Sequence, residues 1–425
     1  MSSRRCVGLL AAGLFCLVLG IFLGGQLVAA GHVILLIGLF AAFLNRAGIG
    51  VNWKLMPASG WWLVGFVLAS AISIVANWTI IESHLGHFKR LRYPLISLAL
   101  LVTSVLATAV VREKWRRDVL VIAWLSSMAL AILVGFITWR TGVHPFRYID
   151  PIYTTRLSGL LGHTMTFAYT LQFSVVALAG FVLMPGVWKK VTRIPWPVAV
   201  SALLLAGGAM YLTYTRGAML GVTAGFVTLA MMRSFKLLVA IAAIGVIAGT
   251  YAYFESSRYF QFEDPVRLNQ WSAAALSWVE HPVFGLGFRN FEIYSVELKE
   301  RFGFEKDTVD ASGEPVFFKG HAHNNYLEAF ASTGVLGGIA FLGFCFCWLR
   351  EAWRSEHAAI FVPLIAAFLV SGFFENTFFD SEVLNCILLI YLFSQIVFNR
   401  EAERAGDHSS SSVSSPSAGT ITTET

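Results

Sequence analysis

Charged side chains are what this 425-residue chain has least of: Asp, Glu, Lys and Arg together make up 13% of it, about half the share of a soluble domain. With 56% hydrophobic residues and a mean hydropathy of +0.68, the composition excludes a water-soluble globule of this length. Cysteine is also scarce, and all five (Cys6, Cys16, Cys345, Cys347 and Cys386) fall inside apolar runs, which excludes a disulfide framework or a zinc spacing. No Asp-x-Asp pair offers the usual carboxylate grip on a divalent ion.

Long apolar runs are plentiful. Stretches of roughly 17 to 25 residues, each able to cross about 30 Å of hydrocarbon as a helix, predict an all-α integral membrane protein of about twelve spans. They lie near 7–24, 27–44, 60–79, 94–111, 119–138, 157–184, 196–214, 217–232, 237–254, 324–349, 358–374 and 383–398. Little more than Gly24-Gly25-Gln26 divides the first two, so a re-entrant pair or a single kinked helix fits as well as two spans. The first run follows Arg4-Arg5 but lacks a small-residue cleavage site, and reads as a retained anchor. The whole of 1–405 is expected to form one membrane domain, with residues 406–425, rich in Ser and Thr, as a disordered cytoplasmic tail.

Lysines and arginines in short loops place both termini in the cytoplasm. Many basic residues nevertheless fall on the opposite side: Arg140, Arg147 and Arg156 in one loop, Arg216 at a hairpin, and several more in the one large outer loop, 255–322. Within that loop, residues 266–280 carry Trp271, Ala275, Trp278 and Val279 at helical spacing, which predicts an amphipathic helix at the interface. His281-Pro282 ends it, and Gly285-Leu286-Gly287 permits a tight turn before Arg289.

The chemistry gathers at His321-Ala322-His323-Asn324-Asn325. The tenth span should begin here, with Asn325 and Glu328 spaced as an N-cap and its reciprocal partner. A helix amino end attracts anions and disfavours a protonated imidazole, which suits His323 to accept a proton. The plainer alternatives are interfacial polar residues or a His-x-His pair that binds metal opportunistically. Arg216 is either a two-pronged phosphate ligand or a snorkelling side chain at lipid headgroups. Arg267 and Arg289 pose the same choice. Glu375, Asp380 and Glu382 in the last outer turn read as ordinary polar turn residues. Arginines and a histidine base together suit an anionic, lipid-linked substrate from which a diphosphate departs, which is glycosyl transfer from a lipid diphosphate donor.

These motifs resemble the bacterial O-antigen ligase and polymerase superfamily of membrane glycosyltransferases. The resemblance rests on His321-x-His323-Asn324-x9-Gly334-x-x-Gly337, on Arg216-Gly217-Ala218, on Arg267-x3-Trp271, and on His281-Pro282-x-x-Gly285-x-Gly287-x3-Phe291. It is concentrated in residues 154–345; Arg156-x-x-Gly159 is similar to a further segment of that superfamily. It implies an enzyme that joins undecaprenyl-diphosphate-linked O-antigen to lipid A-core oligosaccharide at the periplasmic face of the bacterial inner membrane, inverting, with no metal and no cofactor. His323 would then be the general base and Arg216 and Arg289 the donor-diphosphate ligands, with Arg156, Arg147, Arg267 and His321 as weaker candidates. An O-antigen polymerase and a protein O-oligosaccharyltransferase share the donor and differ in acceptor. A lipid-linked oligosaccharide transporter is the rival of another class, and would show repeats or ionisable groups near the midplane. The oligomeric state is not legible, and nothing calls for a nucleic-acid partner.

Overall fold

The computed structural model describes residues 3–44, 56–80, 90–92, 95–100, 102–103, 110–146, 148, 155–234, 236, 265–310 and 312–412. Its helices are α1 (Ser3–Leu23), α2 (Gly25–Leu44), α3 (Ala58–Ala76), α4 (Lys114–Thr141), α5 (Thr164–Leu183), α6 (Pro185–Val191), α7 (Trp196–Leu212), α8 (Arg216–Arg233), α9 (Pro265–Glu280), α10 (Phe291–Arg301), α11 (Asn325–Arg354), α12 (Ala358–Ser371) and α13 (Ser381–Ser412). A two-stranded antiparallel hairpin, β1 (Thr308–Val309) with β2 (Pro315–Val316), lies between α10 and α11.

Seven of these helices are long and apolar enough to cross a bilayer: α1 to α5, α11 and the Ser381–Glu401 part of α13. The bent pair α6–α7, which turns through 107°, raises the number to eight if it forms one span. The expectation of twelve is thus not met among the described residues. The run at 237–254 and residues 94, 101 and 104–109 of the run at 94–111 lie outside them, while α12, at 14 residues, is short for a full crossing. The expected run 157–184 is also shortened at its start, because Gly159 and Gly162 take left-handed turns and the helix begins at Thr164.

Gly24, at φ 121°, breaks the first apolar run, and α1 and α2 fold back on one another as separate helices. The contacts run in opposite directions: a methyl at Gly13 would press on Leu35, at Gly20 on Val28, at Gly31 on Leu17 and at Gly38 on Leu10. Small residues let the two backbones approach where lipid gives no hydrophobic drive to associate.

The same device positions the site. Gly217, Gly221 and Gly225 form one stripe of α8, four residues apart, and this face lies against α5 and α12. There α5 is buried on nearly every side and ties two of its polar side chains to neighbouring helices: Gln172 Nε2 donates to Ser371 Oγ of α12 at 3.0 Å, and Trp124 Nε1 of α4 donates to Ser174 Oγ at 3.0 Å. An aromatic cluster gathers on Phe378, in the turn between α12 and α13, with Phe66 of α3 5.7 Å from it and 6.3 Å from Phe288, and Phe341 of α11 5.0 Å from Phe378.

Replacing Gly221 tests this packing. A Cβ there would lie 2.5 Å from Gln172 Oε1 and 3.0 Å from the Ala367 carbonyl. Gly221→Leu should therefore lower the detergent-solubilised melting temperature by the equivalent of about 1–3 kcal/mol or more, with Gly207→Leu, at a glycine with open space around it, changing it little.

Candidate active site

The segment that carries the histidines is pinned before it reaches them. Lys299 of α10 and Asp307, both fully buried, pair at 2.8 Å. Lys299 Nζ also donates to the Phe318 carbonyl at 2.8 Å, Asp307 Oδ1 accepts from Phe318 N at 2.6 Å, and Gln270 Nε2 of α9 donates to the same carbonyl at 3.1 Å. Burial lowers the affinity of Lys299 for its proton, which Asp307 opposes. Phe318, held in this way, sets its ring 5.9 Å from that of His323.

After this anchor the chain turns sharply. His323 adopts φ 48°, and Asn324, extended, becomes the N-cap of α11: its Oδ1 accepts from Tyr326 N at 2.9 Å and from Leu327 N at 3.0 Å. The cap is thus one residue earlier than the sequence pattern suggests. Asn325 instead holds the turn between α12 and α13. Its N–H donates to the Gly372 carbonyl, its Nδ2 to Thr377 Oγ1 at 2.7 Å, and its Oδ1 accepts from Phe378 N at 2.9 Å. Glu328 reaches back past the cap to accept from Ala322 N at 2.9 Å, which fixes the residue between the two histidines.

That turn delivers Glu375, which sequence reasoning set aside as a polar turn residue. Its Oε1 lies 2.7 Å from His321 Nε2 and 2.9 Å from His323 Nδ1, and also accepts from Asn376 N at 3.0 Å. His321, 36% exposed, faces outward, while His323 at 13% and Glu375 at 8% are enclosed. Burial disfavours the Glu375 carboxylate, but the bonds from His321 and then His323 outweigh it and hold its pKa well below the usual range. Burial also opposes charge on His321, and the hydrogen bond and charge of Glu375 overcome it, raising that pKa above 6.5. The only local hint was a lone carboxylate among phenylalanines, Phe373-Phe374-Glu375-Asn376-Thr377-Phe378-Phe379.

The glycines of the histidine motif do separate work. At Gly334 (φ 63°, ψ −164°) α11 is interrupted, and the loop 282–287 docks into the break. Val335 N donates to the Pro282 carbonyl at 2.7 Å, Leu286 N to the Ala331 carbonyl at 2.9 Å, and Ser73 Oγ of α3 to the Ser332 carbonyl at 2.7 Å. Gly285 sits so close that a Cβ on it would meet Ser332, Thr333 and Gly334 backbone at 2.6 Å. Backbone groups freed by the break are satisfied by this loop.

Three of the sequence-predicted arginines converge. Arg156, Arg216 and Arg267 line one cavity of about 720 Å³ with Trp139, Tyr214 and Gly217. Arg156 also ties the α7–α8 turn, donating from Nε to the Thr213 carbonyl at 2.9 Å and from Nη2 to the Tyr214 carbonyl at 2.7 Å. Its burial, with Arg216 near it, lowers its pKa from the normal arginine value. Arg289 does not line this cavity; it lies beyond the Gly285–Gly287 turn, within electrostatic reach of Arg90. Arg147 falls outside the described residues.

Tyr169 of α5 stands between the two halves. Its buried hydroxyl has no partner among the described residues and abuts Gly217 of the cavity wall, where Phe374, the neighbour of Glu375, also packs. Backbone strain marks the same places: among the described residues, the non-glycine residues with positive φ are Tyr214 (50°), Arg289 (62°) and His323 (48°). Such conformations cost about 1–3 kcal/mol each and persist where the surroundings enforce them.

The family model described as O-Antigen ligase matches residues 201–342. Over that stretch, about a third of its length, the chain is similar to the O-antigen ligase family. The O-antigen ligase superfamily comprises glycosyltransferase-like ligases and polymerases, and with its apolar helices this chain is a multi-pass membrane protein. No curated protein matches the chain. The O-antigen ligase match takes in Arg216, Arg267, Arg289, His321, His323 and the Gly334–Gly337 pair, while Arg156 and Glu375 lie on either side of it.

The His321–Glu375 contact makes stability depend on pH. The raised His321 pKa contributes stability that is fully present below about 6.5 and lost as pH rises through the folded value; the depressed Glu375 pKa contributes stability above about 4.5 that is lost only on acidification. The melting temperature of the wild type should therefore fall from pH 6 to pH 9. In Glu375→Gln, where burial of His321 is no longer opposed, that fall should disappear; parallel curves would show that the contact is not formed in solution.

Proposed function

We propose that this chain is an O-antigen ligase, transferring glycan from undecaprenyl diphosphate to the lipid A-core oligosaccharide at the periplasmic face of the inner membrane, with both termini cytoplasmic. The observation that carries the reading is the His323–Glu375 contact set beside a three-arginine cavity, the two separated by Tyr169 and Gly217.

In this reading, His323 donates its Nδ1 hydrogen to Glu375, which orients the ring and leaves Nε2 to take the proton of the acceptor hydroxyl. The acceptor oxygen attacks the anomeric carbon, the bond from that carbon to the phosphate oxygen breaks, and undecaprenyl diphosphate departs with the electron pair. Arg216 and Arg267 face the diphosphate and neutralise the developing charge, with Arg156 holding the turn that presents Arg216. Base and leaving group on opposite sides of the sugar suit displacement with inversion. Glu375 stabilises the imidazolium once it forms and is not itself protonated. Arg289, away from this cavity, is assigned a secondary part in substrate binding.

A transporter accounts less well for these residues. Arg216 and His323 stand at helix amino ends, not at the middle of a span. Among transferases, the His-Asn-x9-Gly-x-x-Gly spacing favours the ligase over the polymerase and the protein glycosyltransferase, which differ only in what the hydroxyl belongs to.

The decisive assay supplies purified protein with undecaprenyl-diphosphate glycan and, separately, lipid A-core, a second lipid-linked repeat, or a serine-rich pilin-like protein. Modification of lipid A-core alone is expected; exclusive modification of either other acceptor would replace the ligase assignment. His323→Ala should reduce transfer about 100- to 10,000-fold with normal membrane insertion, and Arg216→Ala should lower donor binding and turnover together. Undiminished transfer by His323→Ala would remove His323 from the mechanism.

A further inference from the structure

The donor set at the histidine end has a second capability. His321 Nε2, His323 Nδ1 and Glu375 Oε1 all lie within 4.8 Å of one another, two imidazoles and a carboxylate, the ligand set of many open zinc sites. We propose that His321, His323 and Glu375 form a binding site for a zinc-class divalent cation, and that occupancy switches the transferase off.

Geometry supports the site independently of the ligand types. Both nitrogens already point at one oxygen, at 2.7 and 2.9 Å, where tetrahedral zinc with bonds of about 2.0–2.1 Å would hold its ligands roughly 3.4 Å apart. An opening of roughly 0.5 to 0.7 Å on the two nitrogen–oxygen pairs would therefore admit the ion, and His321, the most exposed of the three, is the ligand placed to move. Glu375 Oε2 is buried with no partner among the described residues, so the carboxylate can accept a cation without giving up a bond on that oxygen. Glu328 fixes the backbone between the two histidines, and its charge and that of Glu292 reach His321, which offsets part of the cost of bringing a dication close. The fourth position is left to water on the open side.

The ion would occupy the nitrogen of His323 that faces Glu375 and displace the proton shared there. Bound to the ion through Nδ1, the neutral His323 ring would carry its one hydrogen on Nε2, the nitrogen read as taking the acceptor's proton, and Glu375 would be engaged by the ion. The inhibition rests on the reading of His323 as the base; the binding does not.

Titration of the full-length protein in detergent with Co2+ and with Zn2+ tests the binding. One ion per chain is expected, with Co2+ giving the absorption bands of a low-coordinate nitrogen and oxygen site. His321→Ala and Glu375→Gln should each weaken it at least tenfold. His357→Ala, in the other described cluster of ligand-type residues, Glu356, His357 and Glu401, should leave it unchanged. If either of the first two variants does not fold, Cu2+ bound to the wild type should show two equatorial nitrogens by electron paramagnetic resonance. Binding that survives His321→Ala, is lost with His357→Ala, or shows no nitrogen ligation overturns the site. In the transfer assay, Zn2+ at concentrations that fill the site should abolish activity, with recovery on adding a chelator. Full activity with the site filled would overturn the switch and count against His323 as the base, leaving the site itself standing.

Discussion

A carboxylate buried between apolar helices is costly unless something charged or strongly donating meets it, and Glu375 is met on one oxygen by two imidazoles and a backbone N–H. The rest of the site is arranged around keeping those contacts. Asn325 holds the turn that presents Glu375, Asn324 caps the helix that follows the histidines, and Phe318 supports the His323 ring from the other side. Remove the carboxylate and the turn between α12 and α13 and the loop before α11 lose the polar link between their key residues. The two segments lie about fifty residues apart in the chain, and Asn324 Nδ2, donating to the Phe373 carbonyl at 3.2 Å, links them a second time.

Glycine makes this arrangement possible in the membrane. On α8 the stripe Gly217, Gly221 and Gly225 brings Arg216 up against α5 and α12, so that the arginine cavity and Glu375 are separated by little more than a tyrosine ring and a phenylalanine. On α11 and its partner loop, Gly334 and Gly285 allow two backbones to touch and exchange hydrogen bonds. In both places a side chain would fill the space that another main chain or a buried hydroxyl occupies. Among the described residues, positive φ outside glycine is held at Tyr214 on the arginine cavity, at His323 in the histidine turn, and at Arg289 outside the cavity.

Much of this was legible in the chain and some was not, for identifiable reasons. The apolar runs gave α1, α3, α4, α7 and α8 within a few residues, and periodicity gave α9 over 266–280. The apolar stripe of α9 is nevertheless not its packed face: Gln270, Ala273, Ala274 and Ser277 are buried, while Trp278 and Val279 are exposed. Among the described residues, hydropathy gave full spans to α12, which has only 14 residues, and to α7, which is long enough only together with the bent α6. His323 and Asn324 were legible because a helix start has a local signature, although the cap proved to be Asn324 and not Asn325. Glu375 was missed since its partners are remote in sequence and its neighbours are phenylalanines. Arg156, Arg216 and Arg267 could each be noticed singly, but their convergence on one cavity, and the exclusion of Arg289 from it, belong to tertiary packing.

The interruption at Gly334 also sets a depth. From Val335 to Arg354 the second part of α11 is about 30 Å long, the thickness of the hydrocarbon layer. If that part fills the layer, Asn325 to Thr333, before the break, and His323 ahead of them lie beyond its edge. Under the proposed transfer, chemistry at that place would lie among headgroups and water, with the polyprenyl tail of the donor below it in the hydrocarbon. The break in one helix would then serve as a ruler between the lipid that anchors the substrate and the glycan that is joined.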